Sequence, residues 1–237
     1  MSDVETNLKD VNSRIKRSAE KANRDFKDVT LVAVTKGFDT SVIKEAIRLK
    51  ITDIGETKVQ EAMKKQKELG NLSKKARWHL IGYLQSNKVK DAVKIFDMIH
   101  TIDRLKIAKK ISNYCIKLKK EIPVLVQVNL SGLTHGIEPE NIVDFVNDIR
   151  KLDGLQLRGL MTIAPYVTDN EKTRPYFSQL RQLAEACHLT DLSMGMTNDF
   201  EVAIQEGATM VRIGTAIFGQ RVLMNKRIPS FTLEIQT

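Results

Sequence analysis

Lys36 ends a short apolar run, Thr30-Leu31-Val32-Ala33-Val34-Thr35-Lys36. Near the other end of the chain lies a second run, Met210-Val211-Arg212-Ile213-Gly214-Thr215, with one embedded arginine and a Gly-Thr exit. A primary amine anchored at a strand's end can condense with an aldehyde. Glycine admits a ligand close to the backbone, and a helix opening at Thr215 offers free N–H groups and a hydroxyl to a phosphate. An amine and a phosphate cradle in one molecule point to a phosphorylated aldehyde.

The elements between these two runs repeat one pattern: a short apolar segment, a turn, then an amphipathic helix. Residues 3–24 read as a leading helix. Strands are expected at 30–35, 52–54, 77–82, 98–101, 122–129, 155–163, 192–195 and 209–213. Helices are expected at 41–49, 56–69, 86–96, 103–119, 138–151, 170–188 and 199–205, with one more after Gly214. Val124-Leu-Val-Gln-Val and Leu31-Val-Ala-Val lack clean alternation, as parallel strands covered on both faces should. Eight βα units in 237 residues predict a single domain over the whole chain, a closed (β/α)8 barrel. A doubly wound open sheet is the alternative.

Composition narrows the class. No apolar run approaches the length of a membrane span. The polar, acidic start Met1-Ser-Asp-Val-Glu-Thr-Asn is not a secretory signal. Cys115 and Cys187 are far apart and form no CxxC, which predicts two reduced, buried thiols in a cytoplasmic protein. No His/Cys cluster has metal-ligand spacing. The net charge of +9 gathers in 58–77 and 104–120, which read as solvated helix faces. Such a field would also suit a phosphate ligand. Nucleic-acid binding is not expected, because no aromatic RNA-binding strand, zinc-finger pattern or Gly/Arg tail accompanies it.

In a barrel, function collects where strands end and loops begin. That rule selects Lys36, then Glu56 and Thr57, then Gly82, Gln85 and Asn87. It adds Met161 and Thr162, then Gly195, Met196 and Thr197, and finally Arg212, Gly214 and Thr215. Each has a plainer alternative. Lys36 could be a surface lysine. Arg212, flanked by Val211 and Ile213, could form a buried ion pair. Gly214-Thr215 and Thr197-Asn198-Asp199 are also ordinary helix caps. Two adjacent cap-like turns after strands seven and eight are more specific, since barrels usually hold phosphate there. His79 reads as a packed histidine, and the role of His135 is open. Lys36 and this cradle together suggest pyridoxal phosphate.

The quoted segments, taken in order, resemble the pyridoxal-phosphate homeostasis protein family. The matching motifs are Leu31-Val-Ala-Val-Thr-Lys36, Gly55-Glu-Thr-Lys-Val-Gln-Glu61 and Trp78-His-Leu-Ile-Gly-Tyr-Leu-Gln-Ser-Asn-Lys88. They continue through His100-Thr-Ile-Asp103, Val128-Asn-Leu-Ser131, Arg158-Gly-Leu-Met161, Ser193-Met-Gly-Met-Thr-Asn-Asp199 and Met210–Gly219. The resemblance implies a barrel of the alanine-racemase N-domain type with pyridoxal 5'-phosphate as cofactor. It makes Lys36 the Schiff-base lysine, sets Arg212 against the pyridine nitrogen, and gives the phosphate to Thr197, Gly214 and Thr215. Thr57 stands where the family has asparagine, and Thr134-His135-Gly136 replaces a Lys-X-Gly. Thr197 replaces a serine and keeps its hydroxyl.

The family likeness further implies a binding protein that buffers or delivers the cofactor without significant turnover. Apo-enzymes that need the cofactor are the expected partners, with neither membrane nor nucleic acid involved, and a monomer is expected. The enzymatic alternative is a compact amino-acid racemase. That reaction needs a second base opposite Lys36, which related racemases draw from a further β-domain, and none is expected here.

Overall fold

The computed structural model describes residues 3–220. Eight strands run β1 Thr30–Val34, β2 Asp53–Glu56, β3 Arg77–Leu80, β4 Met98–Ile102, β5 Ile122–Gln127, β6 Leu155–Met161, β7 Asp191–Ser193 and β8 Met210–Ile213. They pair in chain order, all parallel, and β8 returns to β1 to close a barrel. The closing register sets Thr30 against Met210 and Val32 against Arg212. The expected (β/α)8 barrel is therefore the fold, and the open sheet is not.

The helices are α1 Asp3–Lys21, α2 Thr40–Arg48, α3 Val59–Leu69, α4 Val89–Ile95, α5 Leu105–Leu118, α6 Ile142–Arg150, α7 Arg174–Ala186, α8 Phe200–Gln205 and α9 Thr215–Phe218. Each buries one stripe on the barrel. In α5 that stripe is Ile107, Ala108, Ile111, Ser112 and Cys115, the spacing of a single helical face. Asp39 caps α2 by accepting from the Ser41 N–H at 2.7 Å. The leading helix α1 is tied to the last units: Asn7 donates to the Ile217 carbonyl at 3.1 Å, and Arg14 pairs with Glu201 at 2.9 Å.

Several expected boundaries shift for local reasons. The second strand runs on through Glu56, because Gly55 and Glu56 pair with His79 and Leu80, and α3 starts only at Val59. Strand β7 stops at Ser193, because Gly195 turns the chain at a φ of +89°. A Cβ on Gly195 would also lie 2.6 Å from the Ala203 Cβ, so the turn admits no side chain.

Inside the barrel, the two sides differ in chemistry. Val32, Met98, Leu125, Met161 and Met210 form an apolar cluster separate from the larger core under the helices. On the other side lie Asp53, His79, His100, Ser193 and Arg212, all buried. Cys115 and Cys187 are buried and unpaired. Among the described residues, no helix is long and apolar enough to cross a membrane. The same residues contain no cluster of metal-ligating side chains. The part of the expected single domain outside residues 3–220 lies outside the described residues.

Candidate functional site

The strand ends open on a cavity of about 510 Å³. Lys36, Thr197, Arg212, Gly214 and Thr215 all line it. Its walls are otherwise mainly apolar, with Val34, Ile81 and Ile163 among them.

Lys36 is half-buried in the turn after β1. That turn is clamped from outside the barrel. Lys65 of α3, itself buried, donates to the Thr35 carbonyl, to Glu56 Oε1 and to Glu61 Oε1, each at 2.7 Å. The Thr35 hydroxyl donates to Glu56 Oε1 at 2.6 Å, and the Gly37 N–H donates to Glu61 Oε1 at 2.6 Å. The residues on both sides of Lys36 are thus tied to one ion cluster. Burial pushes the Glu56 carboxyl up, against the pull of Lys65. Glu56 Oε2 is the one buried side-chain polar atom without a hydrogen-bond partner among the described residues.

The alternation of β2 sends Asp53 and Gly55 inward and Glu56 outward. Glu56 was expected at the mouth of the barrel. It lies instead between barrel and helix, where it fixes the backbone beside Lys36.

Arg212 enters from β8 and is 4% exposed. Its Nη1 donates to Ser193 Oγ at 2.7 Å and its Nη2 to the Thr162 carbonyl at 2.9 Å. Among the described residues it makes no contact ion pair. Burial brings its pKa down to about 10 despite the nearby Asp199 carboxylate, so it is cationic at neutral pH. A buried guanidinium without a contact carboxylate is costly unless other groups compensate.

The phosphate end is made of two turns. The Thr215 hydroxyl donates to the Thr197 hydroxyl at 3.1 Å, so the two converge. Thr215 opens a helix of only four residues, whose first N–H groups have no acceptor within it. Gly214 has a φ of −119°, which any residue can adopt. Packing is what disfavours a side chain there, since a Cβ would sit 3.1 Å from the Val34 carbonyl oxygen. In the other turn, the Met196 N–H donates to Asp199 Oδ1 at 2.6 Å and holds Thr197 in place.

The remaining candidates separate cleanly. Thr57, Met196 and Asn198 line the cavity. Gly82 packs so closely that a Cβ would lie 2.3 Å from the Thr57 carbonyl oxygen. Gln85 and Asn87 are exposed on a short turn outside the cavity lining. Met161 belongs to the apolar interior, and Thr162 contributes its carbonyl to Arg212. Exposed His135 stacks on Tyr83 with ring centroids 4.6 Å apart, outside the cavity. The Thr134 hydroxyl bonds Asn129 at 3.3 Å, also outside the cavity.

Sequence reasoning missed Lys65, Ser193, His100, Asp53 and Tyr166. Tyr166 lines the rim of the cavity and is 82% exposed. A signal for Lys65 existed in its (i, i+4) spacing from Glu61. A signal for the inner residues existed in the alternation of Asp53 with Gly55 and of Arg77 with His79.

A model of the alanine racemase N-terminal domain matches residues 7–222. The pyridoxal phosphate homeostasis protein of Aquifex aeolicus (strain VF5) is 40% identical over 222 residues, covering 90% of this chain and 96% of that protein. The protein of the same name from Escherichia coli (strain K12) is 39% identical over 233 residues, covering 93% and 98%. Among solved structures, PipY of Synechococcus elongatus PCC7942, determined with PLP bound, matches with a TM-score of 0.82 at 34% identity. That match covers 91% of this chain and 100% of PipY. An alanine racemase of Clostridium difficile 630 shares the fold at a TM-score of 0.71 and 17% identity, with 57% of its chain covered.

Proposed function

The chain belongs to the pyridoxal phosphate homeostasis protein family, built on the alanine racemase N-terminal barrel, and from that premise we propose that it binds pyridoxal 5'-phosphate and balances the intracellular supply of this cofactor. The observation that supports the site is the convergence of an amine, a buried cation and a hydroxyl pair on one cavity. The residues fit the cofactor. Lys36 offers the amine that holds the aldehyde carbon. Thr197, Gly214 and Thr215 offer hydroxyls and N–H groups to the phosphate. Arg212 stands in the cavity wall to meet the ring nitrogen. When bound, pyridoxal phosphate supplies an aldehyde that takes up primary amines and a ring that can accept electrons.

The protein's own groups favour holding over turnover. A cation at Arg212 keeps a neighbouring nitrogen unprotonated, which weakens the ring as an electron sink. The role is therefore to bind, store and release the cofactor to apo-enzymes, without significant catalysis. The chain would act as a single barrel domain, a monomer, in the cytoplasm.

Borohydride reduction of the loaded protein and peptide mapping tests the site. The pyridoxyl group should be found on Lys36, and a label mainly on another lysine would overturn the assignment. The racemase alternative has one specific observation in its favour, the phenol of Tyr166 at the cavity rim. Solvent-deuterium exchange at Cα of L-alanine decides it. Negligible exchange is expected, and turnover on the order of 1 per second, suppressed by Tyr166→Phe, would establish an enzyme.

A further inference from the structure

The barrel interior contains an unbroken hydrogen-bonded chain that the cofactor site alone does not explain. Arg212 Nη1 lies 2.7 Å from Ser193 Oγ, which lies 2.8 Å from His100 Nδ1. His100 Nε2 lies 2.9 Å from His79 Nδ1, and His79 Nε2 lies 2.9 Å from Asp53 Oδ1. The three middle residues are buried, with His100 and Ser193 fully so. The chain crosses the barrel from β8 through β7, β4 and β3 to β2. Beyond Asp53 it reaches the barrel floor, where Arg77 pairs with Asp53 at 2.7 Å from a largely exposed position.

With His79 neutral, the two charged ends fix the direction of every bond. Guanidinium can only donate, so Ser193 Oγ accepts from Arg212. A carboxylate can only accept, so His79 donates from Nε2 to Asp53. A neutral His79 then accepts at Nδ1, which makes His100 the donor from Nε2. His100 in turn accepts at Nδ1 from the Ser193 hydroxyl. Every donor thus points from Arg212 toward Asp53. Burial, with the Arg212 cation nearby, holds His100 well below its ordinary pKa, which keeps its ring neutral as this order requires. Burial would raise Asp53, but the bonds from His79 and Arg77 outweigh it and hold the carboxylate below its ordinary value.

We propose that this chain is a directional relay of dipoles that makes Asp53 a remote counter-charge of Arg212, in addition to Asp199 on the same cavity wall, with His79, His100 and Ser193 as positioning residues. Aligned bonds polarise one another in a low-dielectric interior. The buried guanidinium is thereby compensated without a contact carboxylate. A contact carboxylate would occupy its N–H groups and neutralise the field it presents to the cavity. In the proposed function, that field acts on the ring nitrogen of the cofactor, so this part of the inference rests on that reading.

The test uses the ligand-free protein with 15N-labelled histidine and arginine. Both rings should be seen as Nε2–H tautomers at neutral pH. Asp53→Asn should shift the His100 nitrogens and the Arg212 guanidinium signals, although neither residue touches position 53. Ser193→Ala should free the His100 tautomer and shift Arg212, and Ser193→Thr should restore both. An Nδ1–H tautomer at His100, or a disturbance from Asp53→Asn that stops at His79, would overturn the relay. A second arm compares the loaded protein's affinity for pyridoxal phosphate with that for its 1-deaza analogue, which has carbon in place of the ring nitrogen. Ser193→Ala should lower the preference for the natural cofactor about three- to tenfold. A wild-type protein with no preference at all would refute the placement of the ring nitrogen at Arg212, and the tautomer measurement would still judge the relay.

Discussion

Two buried charge networks flank the cavity, and they are built in opposite ways. Outside the barrel wall, Lys65 meets Glu56 and Glu61 directly, at 2.7 Å each. Inside it, Arg212 and Asp53 are separated by three intervening side chains. The compact network spends all three ammonium hydrogens on protein atoms and so fixes the backbone around Lys36. The extended network leaves its cation in the cavity wall. Contact pairing suits a group whose task is to hold the chain. Separated pairing suits one that must still act on a ligand.

The sharpest way to break this contrast is Lys65→Met. It leaves Glu56 and Glu61 without their shared cation, and loss of one partner of a buried pair costs about 3–5 kcal/mol. Urea unfolding should show that loss, and adding Glu56→Gln should recover much of it. Recovery by the second substitution would confirm that the orphaned carboxylate, rather than lost packing, sets the cost.

The next effect belongs to neither network. Thr215→Val removes one hydroxyl from the proposed phosphate cradle, where a hydrogen bond to a charged group contributes roughly 1.5–3 kcal/mol, or about ten- to a hundredfold in affinity. Pyridoxal phosphate should lose that much, and unphosphorylated pyridoxal should lose little. Equal losses for both ligands would remove Thr215 from the cradle.

His100 and Glu56, one from each network, answer to pH with opposite sign. His100 is depressed below its ordinary 6.5, chiefly by burial. Below pH 6.5 the unfolded chain takes up a proton at this residue and the folded one does not. Stability should therefore fall with falling pH, by up to about 1.4 kcal/mol per unit. His100→Asn should flatten that slope between pH 6.5 and 5. Glu56 is raised above its ordinary 4.5, chiefly by burial. Its contribution is complete below pH 4.5 and is lost as pH climbs through the raised value, so Glu56→Gln should remove a loss on the alkaline side.

The smallest change is expected at the barrel floor. Arg77→Ala breaks an ion pair whose arginine is 65% exposed, and such pairs contribute at most about 1 kcal/mol. The histidine tautomers should survive it. Their loss would show that Arg77, rather than Arg212, orders the inner chain.

Legibility in the sequence followed the range of the interaction. Most of the strands were readable as local apolar runs, and only strand ends moved, as where Gly195 cuts β7 short. Lys36, Thr197, Arg212, Gly214 and Thr215 could be chosen because barrels collect function at strand ends. Glu56 obeyed the same rule and was misplaced, since its side chain faces the helices. His79 was read as a packed histidine, and packed it is, yet its partners Asp53 and His100 lie 26 and 21 residues away. Ser193 is 93 residues from His100. No periodicity announces a bond that forms only when the barrel closes.

The apolar side of the barrel interior has a consequence for how this protein can change over generations. Met98, Met161 and Met210 supply three of its five buried side chains. Thioether chains adapt to irregular gaps and tolerate exchange for other apolar residues of similar volume. Inherited variation should therefore accumulate there at little cost to folding. The opposite side has no such latitude, because each of its middle members, His79, His100 and Ser193, bonds a neighbour on either side. One half of the same interior is free to drift, and the other can change only by several coordinated substitutions.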